Sequence, residues 1–496
     1  MHKPMGLVIR QSIVSTTLSY LGVAIGYLNM LWWFPAVLSE AELGLWRFIQ
    51  DTALLLVPFA QIGLAQGILR FFPAHHKEKG FFSFILATTL IFFGIFLGVF
   101  MLIKPWFMGL FADNAQEVNQ YLSLLLICAL LLTLVSIMEA FCRSHLQVII
   151  PTLVKEVFFR IFSSISIALY FFQVIPFQGL LYFLVITYAT GFLFMFFYLV
   201  MKKNTHFSFH WDFVDTPFVR RFFSYILLTM LGSSGILILS RIDSFMVTSY
   251  LGLAENAIYT IAFFIATVLE MPKRGITQIT TPLISQSFLK NDLKEVESLY
   301  KKVSIHQAVI GLLLFIGIIS NLDSLYHFVP NGEVYQTGKR VVIIIALGKL
   351  ADMIAGVNGE IIVMSKYYMF NIVLVAALAI FTIGLNIYLI PLYGLEGAAL
   401  SFCLAIIAFN TLKIGFIYLK YQIHPFSSKT FPLVLGAIAI YALVYLLPFP
   451  SEWHLANLII KSALITLLYT LFIYRLNPSY EIRQLFLKAF QRLGFK

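Results

Sequence analysis

Apolar stretches of nearly bilayer length fill most of the chain, and Lys and Arg are concentrated in every second gap between them. An α-helix needs about 20 mostly apolar residues to cross the hydrocarbon core of a membrane. Of the 496 residues, 60% are hydrophobic and only 11% are charged, which is too apolar for a soluble protein of this size. The sequence therefore predicts an all-α polytopic membrane protein with about 14 transmembrane helices.

Hydropathy places these predicted spans along the whole chain. In the first half they run approximately over 11–34, 43–66, 81–103, 119–141, 152–172, 179–200 and 222–247. In the second half they run approximately over 255–275, 304–322, 341–364, 369–390, 394–419, 430–448 and 455–474.

The distribution of basic residues predicts the orientation of the chain. One side of the predicted membrane carries little positive charge beyond Lys104, Lys339, Arg340 and Lys461, and the other side carries most of the rest. The positive-inside rule makes the basic side cytoplasmic, and an even number of spans then places both termini there. The formal charge of +11 is explained by loops beside anionic membrane lipids, so a nucleic acid partner is not predicted.

Two short segments recur at nearly the same offset and indicate an internal duplication. Leu38–Trp46 resembles Leu251–Tyr259, and Ile175–Leu180 resembles Ile390–Leu395. Six spans per copy is an even number, so both copies enter the membrane from the same side and the repeat is parallel. We predict an N-terminal lobe over 1–210, a C-terminal lobe over 211–425, and an appended pair of spans with a cytoplasmic tail over 426–496.

Ionisable residues inside the predicted spans are the candidate site residues. An ionised group near the bilayer centre costs about 2.5–3.5 kcal/mol on insertion scales, so it normally faces a cavity or an oppositely charged partner. The alternative is that these charges only fasten helices together or reach the membrane interface. The candidate cations are Arg47, Arg241, Lys273, Arg274 and Lys349, and the candidate carboxylates are Asp51, Asp243, Glu270, Asp352 and Glu360.

Helical spacing predicts which of these groups share a helix face. Arg47 and Asp51 are four residues apart, a spacing that allows an ion pair within one helix. The same spacing relates Glu139 to Arg143 and Glu270 to Arg274, and Lys349, Asp352 and Glu360 form one polar stripe. Arg241 and Asp243 are only two residues apart, so at least one of them must contact another helix or a cavity.

Sequence motifs for catalysis or metal binding are missing. The segment Gly332–Arg340 has the wrong glycine spacing for a phosphate-binding loop and lacks the Ser or Thr after its Lys. Cys128, Cys142 and Cys403 lie in apolar spans without metal-ligand spacing. We therefore predict no enzymatic activity, no cofactor and no metal.

The sequence resembles the polysaccharide-transporter branch of the multidrug/oligosaccharidyl-lipid/polysaccharide flippase superfamily. The resemblance covers essentially the whole chain and includes Arg241-Ile242-Asp243 in the seventh span. Its most specific local mark is the turn that runs from Pro391 through Gly394 and Gly397 to Ala399.

The resemblance implies a flippase that moves a polyprenyl-diphosphate-linked oligosaccharide to the outer leaflet of the bacterial inner membrane. Such carriers serve the synthesis of surface polysaccharides, including the O-antigen of lipopolysaccharide. Arg and Lys groups in a cleft between the lobes would contact the diphosphate or acidic sugars. The carboxylates would balance these cations in the empty state or bind H⁺ or Na⁺ in antiport.

Three other functions stay open on the sequence. A flippase for the peptidoglycan precursor would share the fourteen-span plan. A multidrug/cation antiporter of the same superfamily is disfavoured by the extra pair of spans and by the cationic candidates. A membrane polysaccharide polymerase or ligase would need a larger external loop than the one over 323–340.

Overall fold

The structure is a computed structural model that describes residues 3–75, 78, 80–111, 115–202, 208–450 and 453–484. All regular secondary structure in these residues is helical, which confirms the predicted all-α fold. The chain divides into two compact units, Met1–Thr260 and Ile261–Lys496. The predicted lobe boundary near residue 210 is not tested by this division and stays a prediction.

The first unit consists of eleven helices and the start of a twelfth, counted over the described residues, and π-helical turns interrupt two of its spans. These elements are α1 (Lys3–Leu28), a π turn (Asn29–Trp33), α2 (Phe34–Val37), α3 (Glu40–Gln61), α4 (Leu64–His75), α5 (Phe81–Gly109), α6 (Ala115–Gln120), α7 (Leu122–Ser144), α8 (Ile149–Thr152), a π turn (Leu153–Phe158), α9 (Phe159–Phe171), α10 (Phe177–Met201), α11 (Thr216–Leu251) and α12 (Leu253–Thr267).

The second unit begins within α12 and contains the remaining helices of the described chain. They are α13 (Glu270–Leu289), α14 (Leu293–Ser320), α15 (Leu322–Phe328), α16 (Gly332–Tyr335) with a 3₁₀ turn (Gln336–Gly338), α17 (Lys339–Ile354), α18 (Asn358–Met364), α19 (Tyr368–Tyr393), α20 (Leu395–Tyr421), α21 (Thr430–Tyr445) and α22 (His454–Leu476).

Nine helices of the described chain are long and apolar enough to cross a membrane, and the number is eleven if each bent pair counts as one span. The other three predicted spans fall on the helical segments 149–171, 216–251 and 430–445. The positions of the predicted spans therefore agree with the helices, while the total of fourteen stays a prediction.

Polar side chains fix where several long helices begin. At the start of α3, Ser39 accepts a hydrogen bond from the Glu42 amide, and the Glu42 carboxylate accepts one from the Ser39 amide in return. At the start of α11, Asp215 accepts a hydrogen bond from the Phe218 amide at 2.7 Å. These caps satisfy backbone donors that a helix cannot satisfy within itself.

Two spans of the second unit are broken helices. The α12–α13 pair bends by 51° at residues 268–269, and the chain over α16–α18 bends by 48° at residues 355–357. Pro272 lies just after the first bend, and Gly356 has φ of +71° within the second. Proline lacks a backbone donor and glycine tolerates a left-handed conformation, so both residue types suit a helix break.

Apolar packing holds the helices of each unit in place. In the first unit, Phe218 and Phe222 of α11 stack with centroids 5.3 Å apart and are buried against α4, α5 and α7. In the second unit, Ile284 of α13, Ile361 of α18 and Ile417 of α20 belong to one buried cluster. The charged residues described below are attached to these packed helices.

The turn between α19 and α20 explains the sequence mark at Pro391–Ala399. Gly394 has φ of +58°, a backbone conformation that glycine adopts without strain. A Cβ atom added at Gly397 would lie 2.0 Å from the Leu389 carbonyl oxygen. The two glycines therefore allow the chain to reverse direction with the start of α20 pressed against the end of α19.

We predict that Gly397→Ala lowers the free energy of unfolding by about 1–3 kcal/mol, because the added methyl group overpacks the turn. Gly415→Ala on the same helix is the matched control, since a Cβ there meets no atom within 4 Å. The measurement is thermal unfolding of the purified protein in detergent. Equal unfolding temperatures for the two variants would contradict this account of the turn.

Candidate functional site

Asp51 is the centre of a buried charge cluster in the first unit, the Asp51 cluster. Its side chain is almost fully enclosed, and Arg47 Nη2 donates to both carboxylate oxygens at 3.0 and 3.1 Å. Arg241 Nη1 of α11 donates to Asp51 Oδ1 at 2.6 Å, and Ser244 Oγ lies 3.0 Å from Oδ2. One carboxylate therefore joins α3 to α11 and is shared by two guanidinium groups.

The Asp51 cluster lies where the two segments predicted to be copies, Leu38–Trp46 and Leu251–Tyr259, meet. Asn256 Nδ2 donates to the Gly44 carbonyl at 3.3 Å, and Asn256 Oδ1 is 2.8 Å from Ser244 Oγ. A Cβ at Gly44 would be 1.8 Å from the Leu253 carbonyl oxygen, so glycine permits this close approach. The two segments that the sequence predicts to be copies thus pack directly against each other.

Arg241 and Asp243 have different surroundings, as their spacing predicts. Arg241 reaches Asp51 across the helix interface, and its side chain is 33% exposed. Asp243 is buried, and its carboxylate interacts with the Tyr259 hydroxyl of α12. Only Arg241 of this pair belongs to the Asp51 cluster.

Two ion pairs connect the broken helices of the second unit, and we call them the ion-pair ladder. Glu270 Oε1 lies 2.8 Å from Lys349 Nζ, and Lys273 pairs with Asp352. The partners are three residues apart on α13 and three apart on α17, so each pair occupies neighbouring positions on one helix face. The ladder therefore joins α13 just after its bend to α17 just before its own.

Lys349 is the most enclosed member of the ladder. Its side chain is 2% exposed, and its amine lies 4.5 Å from the ring centroid of Phe263 and 5.3 Å from that of Phe402. A cation over aromatic faces is attracted by the ring quadrupole. This environment and Glu270 together satisfy the Lys349 charge within the protein.

Side chains also satisfy the backbone at the break after α17. Lys273 Nζ is 3.4 Å from the Asp352 carbonyl oxygen, and Ser304 Oγ donates to the Ile354 carbonyl at 2.6 Å. The last carbonyl groups of a helix have no partner within it. Lys273 therefore pairs with the Asp352 carboxylate and also supports the helix end that carries it.

A second polar layer lies behind Asp352. Asn410 Nδ2 of α20 donates to Asp352 Oδ1 at 3.1 Å, and Asn358 Nδ2 of α18 donates to Asn410 Oδ1 at 2.7 Å. Both asparagines are buried. Asn410 holds Oδ1 of the Asp352 carboxylate, whereas Lys273 pairs with Oδ2.

A cavity of about 500 Å³ opens beside the ladder. Arg274 is its most accessible cation, because its side chain is 68% exposed and its guanidinium is 3.8 Å from Glu270. A separation of that size leaves the guanidinium donors available for a ligand. The lining residues are Glu270, Lys273, Arg274, Thr277, Gln278, Asp352 and Glu360.

The structure brings most candidate residues of the second unit together and places those of the first unit elsewhere. Five of them line the cavity, and Lys349 pairs with one of these five, Glu270. Arg47, Asp51 and Arg241 form the separate Asp51 cluster. Glu139 pairs with Arg143 at 2.5 Å, as its spacing predicts, and also with Lys155 at 2.9 Å.

Sequence reasoning missed several polar residues near the cavity. Asn358, Asn410 and Lys413 lie in predicted apolar spans and were not among the candidates. Asn410 and Lys413 are three residues apart, so the i, i+3 spacing was the available signal. The ion pair between Glu156 and Arg160 at 2.8 Å, in the fifth predicted span, was missed in the same way.

The comparisons with known proteins identify a family and a fold. Residues 8–288 match the family model described as polysaccharide biosynthesis protein. No curated protein matches the chain in sequence. The family match covers the whole first predicted lobe except its first seven residues and extends to the end of α13.

Solved structures of transporters share the fold. The lipid II flippase MurJ in an inward closed conformation aligns with a TM-score of 0.73 at 13% identity, over 93% of this chain and 99% of that chain. An inward-facing multidrug resistance MATE transporter of the MOP superfamily aligns with a TM-score of 0.65 at 16% identity, over 84% and 98%. A MOP transporter from Pyrococcus furiosus, described as having a binding pocket of reverse polarity, gives 0.57 at 15% identity, over 84% and 95%. At these identities the likeness shows the fold, which is that of multi-pass membrane transporters.

We predict unequal effects when the Glu270–Lys349 pair is broken from either side. Glu270→Gln leaves the enclosed Lys349 ammonium without a carboxylate and should destabilise the protein by about 3 kcal/mol. Lys349→Met should cost less, because Glu270 faces the cavity and water can solvate it.

A double-mutant cycle on thermal unfolding in detergent checks this prediction. The double variant Glu270→Gln/Lys349→Met should resemble Lys349→Met alone, since no buried ammonium remains. If Glu270→Gln is the milder single change, the assigned burial of Lys349 is wrong.

Proposed function

Because the chain belongs to the polysaccharide biosynthesis protein family, we propose that it is a flippase for a lipid-linked oligosaccharide. The cargo is an oligosaccharide on a polyprenyl diphosphate, moved from the cytoplasmic to the outer leaflet of the bacterial inner membrane. Both termini are then cytoplasmic. The product serves the assembly of cell-surface polysaccharide such as the O-antigen of lipopolysaccharide.

The cavity beside the ion-pair ladder is the observation that supports this function. A diphosphate and its sugars lose their hydration in hydrocarbon, and about 30 Å of it must be crossed. The cavity offers Arg274 and Lys273 to replace water around the phosphates. Thr277 and Gln278 add hydrogen-bonding groups suited to sugar hydroxyls.

The lining residues divide into two roles. We assign Arg274 and Lys273 to direct contact with the diphosphate, since both line the cavity. Lys349 holds Glu270 in position, because its amine is enclosed by Glu270 and two aromatic rings. Glu270, Asp352 and Glu360 balance the cations in the empty state and are the candidates for H⁺ or Na⁺ coupling.

Alternating access gives the Asp51 cluster a role in the same proposal. A movement of α11 away from α3 during transport would require Arg241 and Ser244 to leave Asp51. Arg47 remains bound to Asp51 through its own helix. Arg241 would then be available to an anionic cargo at that stage, and Asp243 remains a charge-balancing candidate beside it.

A peptidoglycan-precursor lipid is the second candidate cargo. The fold matches that of the lipid II flippase over 93% of this chain, and both cargo classes present a diphosphate to the protein. A cationic drug is less suited, because the accessible cation Arg274 would repel it. A polymerase or ligase reaction has no support in the cavity, whose lining holds no nucleophile paired with a base.

We predict that Arg274→Gln slows lipid translocation about tenfold or more, because a charge-assisted contact to phosphate is lost. The assay is leaflet accessibility of a fluorescent polyprenyl-diphosphate-linked sugar in proteoliposomes. Arg340→Gln is the matched control, since Arg340 is also an exposed arginine near a carboxylate, Glu396 at 3.3 Å, outside the cavity. Normal translocation by Arg274→Gln at equal reconstitution would remove Arg274 from the path.

A further inference from the structure

Lys413 of α20 is a buried cation that the ladder does not use. Its side chain is largely enclosed, with the amine 3.7 Å from the Phe409 ring centroid. The amine also lies against the backbone at Gly359, where an added Cβ would be 3.2 Å from Nζ. Within the described residues, the ion pairs of the ladder leave Lys413 out.

Asp352 contacts Lys273 and also Asn410, which lies three residues before Lys413 on α20. Its Oδ2 pairs with Lys273 on one side, and its Oδ1 accepts from Asn410, one helical turn before Lys413, on the other. Asn410 and Lys413 are three residues apart and share one face of α20, and the charges of Asp352 and Glu360 act on Lys413. Lys413 is therefore within electrostatic reach of the same carboxylate that Lys273 neutralises.

Binding an anion in the cavity creates a problem for Asp352. A phosphate group that pairs with Lys273 removes the direct cationic partner of Asp352 and brings negative charge close to a carboxylate that lines the same cavity, and like charges at short range repel each other. Asn410 alone cannot compensate a full charge, because an amide supplies only a dipole. A second cation close behind the carboxylate removes this penalty.

We propose that Lys413 is a reserve cation for Asp352. When the phosphate or diphosphate of a ligand pairs with Lys273, Asp352 pairs with Lys413 instead. The ligand then binds without leaving the Asp352 carboxylate unpaired. Lys413 is a positioning residue, because it acts through Asp352 and does not touch the ligand. This inference rests on the proposed anion-binding role of the cavity and names the residue that makes Lys273 available.

Inorganic diphosphate binding to the full-length protein in detergent, measured by isothermal titration calorimetry, tests the proposal. Lys413→Gln should weaken binding about tenfold, the size expected for loss of one charge compensation. Lys413→Arg should restore most of the affinity, because the charge is kept. Lys420→Gln is the matched control, since it removes an exposed lysine from the same helix and should bind like the unchanged protein.

A double variant separates the proposed role from a structural one. In Asp352→Asn, Lys273 is already free and no carboxylate needs a reserve partner. Adding Lys413→Gln to Asp352→Asn should therefore cause no further loss of diphosphate affinity. Lys413→Gln should also fold normally, because it removes a buried charge, and thermal unfolding checks this.

Each outcome decides the proposal. Unchanged diphosphate affinity in Lys413→Gln overturns it. It is also overturned if Lys413→Gln lowers the diphosphate affinity equally in the unchanged protein and in Asp352→Asn. If the unchanged protein does not bind diphosphate, both the proposed anion site and the proposed role of Lys413 are wrong. Translocation of the lipid-linked sugar is measured separately, so failure of the flippase function is distinguished from failure of this inference.

Discussion

Charge that enters a hydrocarbon environment must be compensated by the protein, and this requirement organises the polar interior of the chain. Glu270 meets Lys349, Asp352 meets Lys273, and Asp51 is shared by two arginines. The pairs Glu270–Lys349, Asp352–Lys273 and Asp51–Arg241 each join two helices, and Arg47 adds a second cation to Asp51 from the same helix. The ion pairs therefore fix helix register as well as charge, because the cost of leaving one partner alone exceeds that of most apolar mismatches.

Helix breaks and charges support one another in the second unit. A bend within a span frees backbone groups that lipid cannot satisfy, so such breaks persist only where protein or water supplies partners. At the break after α17, Lys273 and Ser304 supply them. In return, the bends place Glu270, Lys273 and Asp352 beside one cavity. A span that ran straight from α12 to α13, or from α17 to α18, would not have the freed carbonyl groups that these side chains satisfy.

The sequence predicted local features well because they depend on spacing along one helix. The helical positions of the spans agree with the structure, and the Arg47–Asp51 and Glu139–Arg143 pairs form as the four-residue spacing predicts. The ladder could not be predicted in this way. Whether Lys349 meets Glu270 depends on how α17 is rotated against α13, which is set by packing between helices and not by either segment alone.

Lys349 and Lys413 show what the sequence alone does not predict about a charged residue within a span. Lys349 has the same charge as Arg274, but one is enclosed by Phe263 and Phe402 while the other faces the cavity. Lys413 is the only charged residue between Glu396 and Lys420 in the sequence, and its spacing from Asn410 indicates a shared helix face but not whether that face lies at a cavity or near the interface. Burial and partner identity are tertiary properties, so the role of an intramembrane charge requires the packed structure.

The central claim is that water and anions reach the cavity beside the ladder. Accessibility of a single introduced cysteine tests it, since Cys128, Cys142 and Cys403 are buried. Thr277 lines the cavity, and Ile380 is an exposed apolar residue of α19 that serves as the lipid-facing comparison. We expect a membrane-impermeant thiol reagent to modify Thr277→Cys rapidly, Ile380→Cys slowly, and Thr277→Cys more slowly when inorganic diphosphate is present. Equal, slow modification at both positions, with no effect of diphosphate, would contradict a hydrated anion-binding cavity.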